Sequence, residues 1–184
     1  MQSTTGNLDH KASASYASKV AIAQACAAMG ARAVTLTSVA RTKPADSRAI
    51  YKSVTGSQSQ SGQTPTNHEW FLGSRTLRLH SALLLLMYAA YREHHEPLPD
   101  AHGIAFTLSY NNYLGTCGGE ALISPERFAL LAGNGFSIGW REIPRGGASK
   151  FPTGNVKVMR CRKCRLPHLV EAHFVRHTCT HCLN

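Results

Sequence analysis

The sequence has few acidic residues and little charge of any kind. Asp and Glu total 10 in 184 residues, and all charged residues together make up 16 % of the chain. The acidic residues are scattered, and none are paired at a spacing suited to general acid–base catalysis. The sequence also lacks a Gly-rich phosphate loop, a nucleophile elbow and a His-Glu-x-x-His motif. These absences argue against an enzyme.

Long hydrophobic stretches are absent as well. The longest apolar run, SALLLLMYAAY at residues 81–91, has 11 residues, whereas a membrane-spanning helix needs about 20. The N-terminal segment MQSTTGNLDHKASASY contains no apolar signal region. We therefore expect a cytoplasmic protein without a transmembrane helix, in which cysteines remain reduced.

Basic residues, by contrast, are in excess. Lys and Arg total 20, and the formal net charge is +10. Residues 32–52 hold five basic residues and one acidic residue, and residues 141–184 hold nine basic and two acidic ones. Two basic regions in a chain of low charge content are typical of nucleic-acid binding, although solubility alone can also account for such a balance.

Two Cys-x-x-Cys motifs lie in the segment CRKCRLPHLVEAHFVRHTCTHC, residues 161–182, with 14 residues between them. Zinc sites of this kind typically separate the motifs by about 15 to 20 residues, so the difference is trivial. Four thiolates satisfy the tetrahedral preference of zinc and leave no position for water or substrate. We predict one structural Zn²⁺ per chain, bound by Cys161, Cys164, Cys179 and Cys182.

Three other roles for these cysteines are less favoured. Disulfides require an oxidising compartment, and a redox Cys-x-x-Cys motif normally occurs once, in a βαβ setting. A nearby histidine could replace one sulfur, although four thiols need no replacement; the candidates are His168, His173, His177 and His181. We expect the apolar pairs at 169–170 and 174–175 to form a short hairpin that brings the two motifs together.

The rest of the sequence predicts a mainly α-helical fold. A long helix is expected over residues 68–95, and further helices over 102–114 and 124–136. In the last of these, Ser124 is the N-cap and Gly133 lies past the end. We divide the chain into a disordered tail (1–15), a helical domain (16–140), a linker (141–156) and a zinc-ribbon-like module (157–184).

Residues 33–56 have the pattern of a helix-turn-helix. An apolar face reaches Arg41, a short break follows, and Pro44 suits the first turn of a second helix. The residue types on the polar side of this helix and in the zinc module can reach phosphates and base edges. The predicted DNA contacts are Arg41, Lys43, Ser47, Arg48, Tyr51, Lys52, Arg162, Lys163 and Arg165. A helical hairpin with a merely solvated polar face is the alternative.

Two parts of the sequence together resemble a known family. The segment SRAIYKSVTGSQSQSGQTPTNHEWFL, residues 47–72, is similar to one in the FlhC-type subunit of the bacterial flagellar master transcriptional activator. There, a helix-turn-helix-like run ends in Tyr-Lys and Gly, and a Pro-containing loop leads to a Trp-Phe pair. The tripeptide at residues 30–32 and the cysteine motifs with VEAHF between them also match that family. The resemblance covers residues 16–182.

The resemblance implies a mainly helical protein that binds double-stranded DNA as a hetero-oligomer with an FlhD-type helical companion. Such a complex activates flagellar operons through RNA polymerase, and this chain would control flagellar or related operons. The four cysteines would bind zinc, and residues 41–52 would lie in the DNA-contacting region. The alternative is a zinc-ribbon adaptor that joins proteins without binding DNA and uses residues 83–91 as its docking surface.

Overall fold

The computed structural model describes residues 5–137, 143–150 and 155–183. In these ranges the chain forms helices first and a small antiparallel sheet last, so the predicted mainly α-helical fold with a C-terminal four-cysteine module is confirmed. The helices are α1 (Thr5–Ala28), α2 (Ala33–Ala40), α3 (Pro44–Thr55), α4 (Arg75–His94), α5 (Ala101–Cys117) and α6 (Pro125–Ser137). The strands are β1 (Ala148–Lys150), β2 (Val156–Arg160) and β3 (Pro167–Glu171).

The first three helices pack against one another as a three-helix unit. α1 begins at Thr5, inside the segment predicted as a disordered tail, whose residues 1–4 lie outside the described ranges. Arg41 takes a left-handed conformation with φ 55°, which turns the chain sharply between α2 and α3. Pro44 begins α3, and Gly56 ends it with φ 73°. The predicted pair of helices with a three-residue joint is therefore present.

The central helix of the molecule is α4, which contacts α5, α6, β3 and the short 3-10 helix before it. Its leucine run faces inward, with Leu84, Leu85 and Tyr88 almost completely buried. Residues 83–91, the docking surface of the adaptor alternative, are therefore largely occupied by packing within the protein itself. Burial on several sides is what a run of four leucines favours, because such a run covers most of the helix circumference.

The single helix predicted over residues 68–95 is interrupted. Glu69–Leu72 forms a 3-10 helix that inserts Phe71 fully into the core. Gly73 follows, and the Ser74 side chain accepts a hydrogen bond of 3.1 Å from the backbone N–H of Leu77. Ser74 is thus the N-cap that starts α4, a role for which serine is strongly preferred.

The predicted helices over residues 102–114 and 124–136 are confirmed as α5 and α6. Ser124 caps α6 as predicted, because its hydroxyl accepts a 3.3 Å hydrogen bond from the backbone N–H of Arg127. The prediction that Gly133 lies past the end of this helix is wrong, since α6 continues to Ser137. An isolated glycine costs a helix only about 1 kcal/mol, which packing readily offsets.

The sheet has the order β1-β2-β3, with both pairs antiparallel. Alternate residues of β2 and β3 face opposite sides, as the strand period of two requires. Val156, Val158 and Leu169 join the same buried core as the helices, while Met159 and Val170 pack with the cysteines. The cysteine module is therefore packed onto the helical domain through one face of the sheet.

Two sequence expectations for this region differ from the structure. The hairpin predicted between residues 169–170 and 174–175 is wrong, because β3 pairs instead with β2, which precedes the first cysteine motif. β1 lies inside the predicted linker (141–156), of which residues 141–142 and 151–154 lie outside the described ranges. Among the helices that the structure describes, none has the length and apolar character needed to cross a membrane.

Candidate metal centre and basic surface

The four cysteines of the two motifs converge on one point. Their Sγ atoms all lie within 4.8 Å of one another, and those of Cys164 and Cys179 are 4.0 Å apart. A single zinc ion with Zn–S distances of about 2.3 Å separates its tetrahedral ligands by about 3.8 Å. The spacing of the sulfurs is therefore close to what one metal ion requires, and the cluster could hold one.

Each motif is shaped by its own turn. The backbone N–H of Arg165 donates to the carbonyl of Cys161 over 2.9 Å, and Arg165 adopts a left-handed φ of 65°. In the second motif, the N–H of Cys182 donates to the carbonyl of Cys179 over 3.0 Å. The N–H of Cys179 in turn donates to Sγ of Cys161 over 3.3 Å, so the two turns are joined directly at the sulfurs.

The pKa of the Cys161 thiol is lowered from its ordinary value. Burial raises its pKa, but backbone N–H groups of Cys179, Cys164 and Lys163 outweigh burial, and the pKa falls to about 6. Burial and hydrogen bonding with the Cys182 thiol instead raise the pKa of Cys179 to about 12. Four thiolates this close repel one another, so a bound cation is what allows all four to ionise. The donor set therefore fits a soft divalent metal such as zinc.

The nearby histidines surround the cluster without joining it. In the described residues, the candidate metal group contains the four cysteines alone. His168 is buried, with Nε2 3.2 Å from Sγ of Cys164, where an imidazole N–H can donate to a thiolate. Burial and then the neighbouring His181 lower the pKa of His168 to about 4, which keeps its ring neutral. His177 Nδ1 lies 2.6 Å from the carbonyl oxygen of Gly146, and His173 is exposed.

Two side-chain contacts attach this centre to the start of α4. A guanidinium N–H of Arg78 donates to a carboxylate oxygen of Glu171 over 2.7 Å, and Nε of Arg75 donates to Nδ1 of His181 over 3.2 Å. The partners are 93 and 106 residues apart in the sequence. No local pattern indicates such pairs, and the sequence alone therefore contained no sign that Arg75 and Arg78 of α4 belong to the surroundings of the centre.

The residues predicted to contact DNA around the joint of α2 and α3 are mostly exposed. The exposed ones are Arg41, Lys43, Arg48 and Lys52, while Tyr51 is half-buried and packs against the core. Ser47 is different. It is fully buried, and its hydroxyl bonds within the joint, so the prediction that it lies on the exposed polar side of the helix is wrong.

In the cysteine module, Arg162, Lys163 and Arg165 are exposed, as DNA contacts would have to be. Lys163 also donates from Nζ to the carbonyl of Cys182 over 2.9 Å, which links the first motif to the second.

The module packs at the N-terminal end of α4, where Arg75 lies. From Arg75 to the last turn of the helix, α4 extends about 25 Å at about 1.5 Å per residue.

No protein-family model matches the chain, and no curated protein matches it in sequence. The structure itself defines a mainly α-helical protein whose C-terminal four-cysteine centre could hold a metal ion. The resemblance to the FlhC-type subunit, with the partners and target genes that it implies, stays a prediction.

Proposed function

We propose that the protein is the DNA-binding subunit of a heteromeric transcriptional activator similar to the flagellar master regulator. It binds promoter DNA together with an FlhD-type companion and activates flagellar or related operons through RNA polymerase. The observation that carries the proposal is the row of exposed cations around the α2–α3 joint, formed by Arg41, Lys43, Arg48 and Lys52. These side chains project from a compact three-helix unit, the setting in which helix-turn-helix proteins present their recognition helix.

In this proposal α3 approaches the DNA with its polar side. Arg48 and Lys52 are four residues apart, so they lie on one face of the helix, while Ile50 is turned into the core. Guanidinium and ammonium groups at this spacing can contact successive phosphates or a guanine edge. The net charge of +10 supports the proposal, since it favours association with a polyanion.

The metal in this proposal is one structural Zn²⁺ per chain. Four thiolates prefer zinc, an iron–sulfur cluster or Cu(I), and a tetrahedral site of this size suits a single zinc ion. Zinc would hold the two cysteine turns in register and thereby hold Arg162, Lys163 and Arg165 at the surface as a second set of phosphate contacts. The adaptor alternative has less support, because its docking surface at residues 83–91 is largely internal.

The first test measures metal content and DNA affinity on one preparation, with and without the companion, across a salt series. We expect one zinc per chain and binding that requires the companion and weakens steeply with salt, because each phosphate contact contributes about 0.9 to the slope of log K against log salt. Full zinc content with no DNA binding under any condition would exclude this function.

A substitution makes the test specific to α3. Arg48→Ala is expected to weaken promoter binding by about 1–3 kcal/mol, while Arg176→Ala, which removes an exposed arginine outside the predicted contacts, leaves the affinity nearly unchanged. An unaltered footprint for Arg48→Ala at matched salt would remove Arg48 from the interface.

A further inference from the structure

Side chains of α4 and α5 meet at the C-terminal end of α4. The hydroxyl of the buried Tyr88 lies 2.6 Å from Nδ1 of His102, which is in the first turn of α5. Their rings are arranged edge to face, with centroids 5.8 Å apart. Arg92 stands one turn beyond Tyr88 and therefore on the same face of α4. A guanidinium and a positioned imidazole are thus brought to one end of the helix pair.

Gly103 brings the same end of α5 against α2. A Cβ atom at Gly103 would lie 3.2 Å from the carbonyl oxygen of Val39 and 2.8 Å from a methyl carbon of Ile22. The α5 backbone therefore approaches the last turn of α2 closely. Arg41 follows two residues after Val39, at the left-handed joint, and is exposed. The Arg41 side chain therefore leaves the backbone close to the N-terminal end of α5.

The electrostatics agree with this placement. Burial lowers the pKa of His102, and the charges of Arg41 and Arg92 lower it further. Both guanidinium groups also act on Tyr88, whose pKa burial raises to about 12. Like charges gathered from separate helices repel one another, and an oxyanion between them converts that repulsion into attraction. The N-terminal end of α5 adds the partial positive charge of the helix dipole.

We propose that Arg41, Arg92 and His102 form a phosphate-binding site at the junction of the α2–α3 joint with the α4–α5 hairpin. The arginines supply charge and paired N–H donors, and the Tyr88 hydroxyl holds the imidazole in place. The ligand is a phosphate group, either a phosphodiester of the DNA backbone or the phosphate of a free small molecule. The DNA source rests on the proposed function, and it would extend the DNA interface from α3 to α4 and α5.

The site itself is tested by titrating inorganic phosphate into the full-length, metal-loaded protein and following the His102 ring signals by NMR. We expect saturable shifts that disappear in Arg92→Gln and persist in Arg176→Gln, the matched arginine control on the cysteine module. No saturable shift, or an equal shift in Arg92→Gln, overturns the site. Melting curves establish that each variant is folded. The His102→Gln variant provides a second readout of phosphate binding, because the Arg92 and Arg41 Nε signals can be followed in it.

The source of the phosphate is tested by promoter binding across a salt series with the same variants. If the ligand is the DNA backbone, Arg92→Gln lowers the slope of log K against log salt by about 0.9. If the ligand is a free phosphorylated molecule, the phosphate response is lost in Arg92→Gln while the DNA slope is unchanged. A wild-type protein that binds no DNA would refute the proposed function, and the phosphate titration would still decide the site.

Discussion

At the scale of single residues, the joint between α2 and α3 is held by a closed set of hydroxyl groups. Oγ of Ser47 lies 2.7 Å from Oγ1 of Thr37 and 2.7 Å from Oγ1 of Thr42, and it donates to the carbonyl of Lys43 over 3.2 Å. Ser47 and Thr42 are both buried. Buried hydroxyls need partners, and here they satisfy one another. This network sets how α3 leaves α2, and so where the exposed cations lie.

Replacing Ser47 by alanine tests this network. Ser47→Ala deprives the buried Thr42 hydroxyl of its partner, and we expect the free energy of unfolding to fall by about 1–3 kcal/mol. Urea unfolding measures the change. Ser53→Ala is the control, because Ser53 is exposed and its hydroxyl donates to the Ile50 carbonyl of its own helix, so its effect is expected to stay within about 0.5 kcal/mol. Equal midpoints for the two variants would contradict the role of Ser47.

Two glycines of α5 offer a matched pair. Gly103→Ala forces a Cβ atom to within 2.8 Å of Ile22, and we expect a loss of about 1–3 kcal/mol through overpacking. Gly115→Ala meets no atom within 4 Å and gains helix propensity, so we expect a stabilisation of about 0.5–1 kcal/mol. Thermal unfolding of both variants shows whether each substitution stabilises or destabilises the protein. A stabilising Gly103→Ala would show that α5 does not press against Ile22 of α1 and the last turn of α2 at this point.

At the scale of elements, α2 is capped by side chains from elsewhere in the chain. It has eight residues, and its N-cap residue Arg32 makes no capping bond with its own side chain. Instead, Glu126 of α6 accepts a 2.9 Å hydrogen bond from the backbone N–H of Arg32, and Ser59 accepts one of 3.0 Å from that of Ala33. A carboxylate at a helix N-terminus satisfies free N–H groups and complements the helix dipole. Glu126 thus couples the position of α2 to α6.

Removing this cap should weaken the three-helix unit. Glu126→Ala loses a charged acceptor, and we expect a destabilisation of about 1.5–3 kcal/mol, with a smaller loss for Glu126→Gln, which keeps an acceptor oxygen. Denaturant unfolding followed by circular dichroism gives the free energy of unfolding of each variant. Glu120→Ala, at an exposed acid, is the control and is expected to remain within about 0.5 kcal/mol. If Glu126→Ala behaves like the control, α2 does not depend on its distant cap.

At the scale of the whole molecule, the cysteine module and the helices share one core. The inner face of the sheet contributes Val156, Val158 and Leu169 to the helical core, and the ion pair between Arg78 and Glu171 joins the two parts at 2.7 Å. A metal that holds the cysteine turns therefore also supports the surface on which α4 rests. We expect the chain to unfold as one cooperative unit.

Loss of the metal tests this coupling. Cys161→Ser should release the metal and lower the melting temperature of the helical signal, since metal binding contributes about 10–16 kcal/mol of apparent free energy in small zinc modules. Cys117→Ser, outside the cluster, is the control and should retain full metal content. Metal analysis and circular dichroism on the same samples provide the readout. An unchanged helical transition in metal-free Cys161→Ser would mean that the helices fold independently of the cysteine module.

Local patterns were sufficient for much of the fold and for the candidate metal-binding cysteines. The turn inside each Cys-x-x-Cys motif, the Pro44 start, the Gly56 end and the Ser124 cap each depend on chemistry within a few residues. Such short-range rules can be read in a linear sequence because the interacting groups are neighbours in it. Gly73 and Ser74, a residue type preferred at the N-cap, do indicate the break before α4, although the aromatic residues before them conceal the signal.

Packing, rather than local pattern, settled the remaining features. Ser47 looks like any polar residue on a helix face, and its burial follows from the way α3 folds back on α2. β3 could have paired with the residues after it, but β2 offers Val158 opposite Leu169 and a core to cover. Glu126 reaches α2 across 94 residues. Such contacts depend on which surfaces meet after the chain collapses, and no short window of sequence contains both partners.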